Sequence, residues 1–305
     1  MKRSNHVLSA AVASFAIVAS SSAALAFCRT SSCPNVGTSQ VCTPALPGDC
    51  GTPLFWANPC VGWSLQQDAS PQVTFAAMQS LVTNAFHTWT SAQCPGGGSP
   101  RMAVFQADPA VCTLHEYNQK AGNANVIVFR DQGWPYEGSA NTLALTTVTY
   151  NLDTGEIYDA DMELNSADNH FTTSDTNVEF DLPSIVTHEA GHFLGLAHSV
   201  DATATMYPDY MQHTINLRNL SADDIAGICT IYPPGNIPSD CDITPRHGFS
   251  ALCAADQPVD EGGCTAVAAG TASRGAAWSG MAAVLGALVL AARRMRPAHR
   301  RSKRG

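Results

Sequence analysis

The eleven residues His188-Glu189-Ala190-Gly191-His192-Phe193-Leu194-Gly195-Leu196-Ala197-His198 constrain this chain more than any other stretch. In a helix, residues four apart share a face, so His188 and His192 turn their imidazoles towards one point and Glu189 projects beside them. Gly195 can take the left-handed backbone that stops a helix, and a chain turned there brings His198 to the same point. The fold must therefore supply a helix, its abrupt end and a tight return. Five fixed letters at this spacing arise by chance at about one in three million positions, which sets aside a solvated helix that happens to carry histidines. Three histidine ligands leave a fourth tetrahedral position for water, the mark of a catalytic rather than a structural zinc site.

The rest of the body supplies elements around that helix. From Pro71 to Cys94 the apolar residues Phe75, Met78, Leu81, Val82, Phe86 and Trp89 recur at three- and four-residue spacing, which predicts an amphipathic helix with one buried face. Residues 58–66, 102–106 and 125–129 read as strands. Residues 142–150 and 156–164 read as a hairpin around Asp153-Thr154-Gly155. In its second strand Tyr158, Ala160, Met162 and Leu164 alternate with Asp159, Asp161, Glu163 and Asn165, so the first set is expected in the core and the second in water. A polar loop over 165–177 leads to the helix 182–197, and a last helix is expected over 221–232. Ser221 and Asp224 give that helix a capping box with Asp in place of the usual Glu.

Charge is distributed unevenly along the 305 residues. All 25 acidic residues lie between Asp49 and Glu261, and the seven basic residues of the segment 27–275 leave it at −18, against −9 for the whole chain. An acidic body argues against nucleic-acid binding, which is gained by neutralising phosphate with Lys and Arg. The basic clusters sit at the two ends. Residues 1–26 combine Lys2 and Arg3, an apolar run and Ala24-Leu25-Ala26, which reads as a secretory signal peptide cleaved after Ala26. Residues 276–292 are apolar and followed by an Arg cluster; as a helix they would reach about 25 Å, enough for a thin bilayer. Eleven cysteines follow Ala26. An even set of ten, without Cys264, allows up to five disulfides in an exported protein, and one of the five between Cys28 and Cys60 must pair outside that cluster.

His188–His198 matches H-E-x-x-H-x-x-G-x-x-H, and the chain resembles the metzincin metallopeptidases, with Ser199 after the third His pointing to their matrixin branch. Thr205-Met206-Tyr207-Pro208 resembles the family's Met-turn, with Met206 beneath the zinc. Pro208-Asp209-Tyr210 is similar to a wall of the substrate pocket, to which Ala144 is added. Leu220–Ile228 and Ala85–Trp89 resemble the family's last and first helices. The resemblance spans residues 55–233. It implies an α+β fold, a twisted mixed sheet of about five strands with the first amphipathic helix, the active-site helix and a C-terminal helix.

The implied activity is zinc-dependent hydrolysis of peptide bonds in extracellular or cell-surface proteins, by one Zn2+ on His188, His192 and His198 with Glu189 as general base. Substrate is expected to lie extended along the exposed edge strand around Thr142–Thr147. A non-catalytic surface adhesion module on the same fold is the alternative. The alignment puts Arg130, Gln132, Leu145 and Tyr158 at the positions where relatives hold a structural zinc; none is an ordinary zinc ligand, so disulfides are expected to replace that metal. Ca2+ stays open: Asp159, Asp161 and Glu163 could supply oxygens, or form a solvated face. Gly48–Leu54 matches only C-G-x-P of the family's latency switch, and Cys50 is expected in a disulfide. His87, His115, His170 and His213 lack ligand spacing; His170 is the first of them to locate. Gly262-Gly263-Cys264, the apolar stretch and the Arg tail resemble a MYXO-CTERM sorting tail, which engages the membrane and a processing peptidase. The expected layout is a signal peptide (1–26), a Cys-rich segment (27–54), the peptidase domain (55–235), a Cys-containing linker (236–275) and the tail (276–305). The product is an exported monomer at the cell surface, or secreted once the tail is removed.

Overall fold

A computed structural model describes residues 27–32, 52–136, 141–253 and 284–291. In chain order its elements are β1 (Cys28–Arg29), β2 (Cys60–Leu65), α1 (Phe75–Thr90), β3 (Ala103–Gln106), β4 (Val126–Phe129), β5 (Thr142–Tyr150) and β6 (Ile157–Leu164). There follow β7 (Phe171–Thr172), β8 (Phe180–Asp181), α2 (Leu182–Phe193), β9 (Leu196–Ala197), α3 (Ala222–Ile231) and β10 (Val284–Ala291). The main sheet runs β10-β5-β6-β4-β2-β3. β3, β2, β4 and β6 are parallel, and β5 returns antiparallel to β6. β2 to β6 are the five strands the sequence leads one to expect, so the fold is the mixed-sheet α+β arrangement.

Thr74 caps α1 by accepting from the Ala77 amide, and Met78, Val82, Ala85, Phe86 and Trp89 are buried along one stripe. That stripe meets α2: the Phe86 and Phe193 rings stand edge to face at 4.9 Å, and the Trp89 indole donates to the Thr187 carbonyl at 2.7 Å. Buried aromatic pairs of this kind contribute about 0.5–1.5 kcal/mol beyond their area. The active-site helix is thereby fixed from behind.

Three expectations need correction. Asp159, Asp161, Glu163 and Asn165 are no more than 2% exposed, so the second face of β6 is not solvated. The alternation reads side-chain direction correctly, but residues 107–124 fold across that face and the Cys112–Cys253 disulfide holds them down. Second, Val284–Ala291, the described part of the apolar stretch expected as a helix, is a strand. An apolar run without periodicity suits either structure, and pairing with β5 satisfies its backbone. Among the described residues no helix is long and apolar enough to cross a membrane. Third, the edge of β5 is not open: β10 pairs along it from Thr142 to Tyr150.

Three disulfides join the first half of the chain to the segment after residue 228: Cys60–Cys241, Cys94–Cys229 and Cys112–Cys253. Cys60 thus reaches out of its cluster. Residues 236–253, expected as linker, are packed down by two of these bridges, and the Asn58 amide donates to the Asp242 carbonyl. The signal peptide, Cys50, Cys264 and the Arg tail lie outside the described residues.

The buried acidic row carries a stability prediction. The Asp159 and Asp161 carboxyl groups hydrogen bond to one another, which requires a proton between them. Burial pushes Asp159 up to about 8, and burial plus the Asp159 charge raises Asp161 well above the usual range. Glu163 on the same face and Tyr117 nearby are the neighbouring titratable groups. A raised carboxyl pKa means that the native state holds more protons than the unfolded chain. Its stabilising contribution is complete below about pH 4 and is lost as pH rises towards about 8. Thermal unfolding should therefore shift to lower temperature between pH 5 and 9, and Asp159→Asn should flatten the profile. Equal slopes for wild type and variant would remove the shared-proton account.

Candidate metal centre

Asp181 caps α2 by accepting from the Ser184 amide, and Pro183 sits in the first turn, where its missing N–H costs nothing. The helix ends at Phe193, earlier than the expected 197. Gly195 has φ +92°, the left-handed backbone that turns the chain, and its Cβ position would meet the Leu54 carbonyl at 2.9 Å. After that turn β9 pairs with β1 and delivers His198.

The three imidazoles converge. Nε2 of His192 lies 3.1 Å from that of His188 and 3.2 Å from that of His198. His188 Nδ1 donates to the Thr205 carbonyl at 2.6 Å, and His192 Nδ1 donates to the Leu196 carbonyl at 2.9 Å. Those bonds fix the tautomer and leave each Nε2 lone pair facing inward. Burial lowers all three pKa values, His192 to about 4, and mutual repulsion with neighbouring imidazoles adds to this for His188 and His198. Three buried neutral imidazoles sharing one point are a donor set that suits zinc. Among the described residues this is the one group of three or more ligating side chains close enough to hold a metal ion.

Glu189 lies wholly buried beside the triad. Its Oε2 accepts from the Thr146 hydroxyl on β5 at 2.7 Å, while Oε1 has no partner among the described residues. Burial pushes this carboxyl up to about 8, with the Thr146 bond pulling the other way. A dication on the triad would draw it back down. Ala144 shares the Thr146 face of β5, which places it at the same cleft.

Met206 lies under the helix. A Cβ built on Gly191 would meet its Sδ at 2.3 Å and Trp89 at 2.8 Å, so only glycine lets the Met-turn approach this closely. The turn is organised by Asp224, whose carboxylate accepts from the amides of Thr205, Met206 and Ser221 at 2.7, 3.1 and 2.8 Å. Its neighbour Asp223 accepts from the Ser199 hydroxyl at 2.6 Å. The capping box of α3 is visible in the sequence; its second role under the metal centre is not, because it depends on where the turn lands. Thr146 is likewise unmarked in the sequence.

Pro208 is half-buried and Tyr210 buried, on the stretch that leaves the Met-turn. At the positions aligned with the relatives' structural zinc, Arg130 and Tyr136 both hydrogen bond to the buried Glu163, with His115 3.2 Å away. Burial alone would raise Glu163, but His115, Tyr136 and Arg130 outweigh it and hold the carboxylate below its usual range. Tyr158 bonds Asn151, Leu145 is in the core and Gln132 is exposed. This ion cluster and the Cys112–Cys253 bridge both tie residues 107–136 to the sheet. His87 is exposed on α1, and the His170 side chain, 66% exposed, pairs with Glu179. His213 donates to the Val178 carbonyl.

Fold and site define an α+β protein with a three-histidine metal centre built on one helix and the turn after it. The chain belongs to the matrixin family, whose model matches residues 55–233. It is 45% identical over 184 residues to metalloendoproteinase 1 of Glycine max, covering 54% of this chain and 52% of that one. It is 28% identical over 195 residues to human neutrophil collagenase, covering 60% and 36%. Metalloendoproteinase 1-MMP of Arabidopsis thaliana is 36% identical over 106 residues, covering 33% and 27%. The chain thus spans between a quarter and about half the length of these curated relatives.

Proposed function

We propose that this chain is a zinc endopeptidase acting on extracellular or cell-surface proteins, with His188, His192 and His198 as ligands and Glu189 as general base. The observation that carries this is the buried Glu189 carboxylate, with one oxygen on Thr146 and the other unpaired, against three converging imidazoles. Zinc in that position supplies an electrophile for the scissile carbonyl and acidifies the attacking water. Glu189 takes the proton from that water and passes it to the leaving amine nitrogen. Thr146 keeps the carboxylate pointed at the cleft while the proton moves. Met206 supports the histidines from below and touches no reacting atom. An extended substrate would replace Val284–Ala291 along β5, with Ala144, Pro208 and Tyr210 bordering the pocket. Calcium is not needed in this mechanism.

The location belongs to the same reading. Disulfides persist in oxidising compartments, which supports export by residues 1–26. Residues 276–305 would act as a sorting tail or anchor, and the body would act as a monomer. Casein or gelatin zymography of the full chain is the direct test: cleavage should vanish with a zinc chelator and return on adding zinc. A chelator-insensitive band, or none from folded zinc-loaded protein, would favour the non-catalytic surface module instead.

A further inference from the structure

We infer that Arg218 is a positioning residue that sets which substrate side chain is accepted beside the metal centre; this rests on the peptidase reading above. Asp181 lies seven residues before His188, about 10 Å along the same helix face. The chain leaving Met206 runs back along this interval and is tied to the helix's first turn at several points. The Asp181 amide donates to the Tyr210 hydroxyl at 2.8 Å, and that hydroxyl donates to the Thr214 carbonyl at 2.6 Å. Arg218 donates through Nε and Nη2 to the two oxygens of Asp181, at 2.8 and 2.6 Å, and through Nη1 to Asp175 at 2.6 Å. The Asp181 side chain is fully buried, so this forked pair is the strong kind.

On its other side the loop has room. An open cavity of about 560 Å³ is lined by Ala202, Thr203, Ile215 and Leu217, with Arg218 itself at its rim. Met211 and Ile215 stand 69% and 36% exposed on the same loop, so apolar packing does not hold them. The polar ties to Asp181 therefore decide how close residues 207–217 lie to α2, and with that the width of the space that Tyr210 borders. Arg218 touches neither the histidines nor Glu189. Its effect should appear in which residue is accepted, while proton transfer stays intact.

The experiment compares full-length wild type, Arg218→Gln and Arg218→Lys on peptides that differ only in the residue after the scissile bond: Ala, Leu or Trp. In Arg218→Gln the kcat/KM ratio between large and small residues should shift at least about fivefold, carried by KM, a size in the range that pocket fit supplies. Zinc content should stay constant, and Lys, restoring one of two bonds to Asp181, should fall between. An unchanged ratio, or an equal fall on all three peptides, overturns the inference and leaves the peptidase reading intact. A wild-type chain that cleaves none of the series overturns both. If Arg218→Gln does not fold, Tyr210→Phe removes the other tie to Asp181 and must shift the ratio.

Discussion

Glu189→Gln is expected to keep its zinc and lose about 10²–10⁴-fold in kcat/KM, the range that a positioned general base supplies. The amide has the same shape and can still accept from the Thr146 hydroxyl, so the helix and its neighbours need not move. What disappears is the basic oxygen facing the cleft. Since Glu189 is fully buried and its Oε1 has no other partner among the described residues, no second carboxylate stands ready to replace it. The measurement is turnover of a quenched fluorescent peptide alongside zinc stoichiometry by atomic absorption. One zinc per chain with wild-type turnover would sink the assignment of the base, while loss of both zinc and turnover would show that Glu189 helps to hold the metal site together.

The second large effect is expected at a residue that touches neither metal nor substrate. Asp224→Ala removes the acceptor of three amides at once, two of them the Thr205 and Met206 N–H groups of the Met-turn. At about 1–3 kcal/mol for each donor left unpaired in the interior, a loss of roughly 3–5 kcal/mol is expected after partial relaxation. The Thr205 carbonyl also orients His188, so zinc affinity should fall by about 10–100-fold, as it does when second-shell partners of ligands are lost. Urea unfolding of the metal-free protein reads the first effect, and competition with a chromophoric chelator reads the second. A loss under about 0.5 kcal/mol with unaltered zinc affinity would mean that the turn is held by something else.

The parts legible in the sequence are those whose cause is local. The periodicity from Phe75 to Trp89, the hairpin around Gly155, the left-handed Gly195 and the Ser221–Asp224 box each follow from residues a few positions apart, and each is found. So is the convergence of His188, His192 and His198, because helix geometry and one turn dictate it. The misread parts depend on what arrives from far away in the chain. Asp159 and Asp161 alternate as a wet face would, yet residues 107–124 cover them. The apolar stretch before the Arg tail has the composition of a membrane helix, yet the free backbone of β5 offers Val284–Ala291 a strand partner. Thr146 and Arg218 carry no sequence signal at all, since their meaning lies in contacts 43 and 37 residues away.

The three disulfides all point the same way across the chain, from Cys60, Cys94 and Cys112 to partners at or beyond Cys229. A single cut anywhere between residues 113 and 228 therefore frees nothing: both pieces stay joined by three covalent links. For a peptidase surrounded by copies of itself, that makes one self-inflicted nick, for example in the exposed stretch 173–177, a survivable event. Such damage would be invisible on a non-reducing gel and appear as two bands once the thiols are freed.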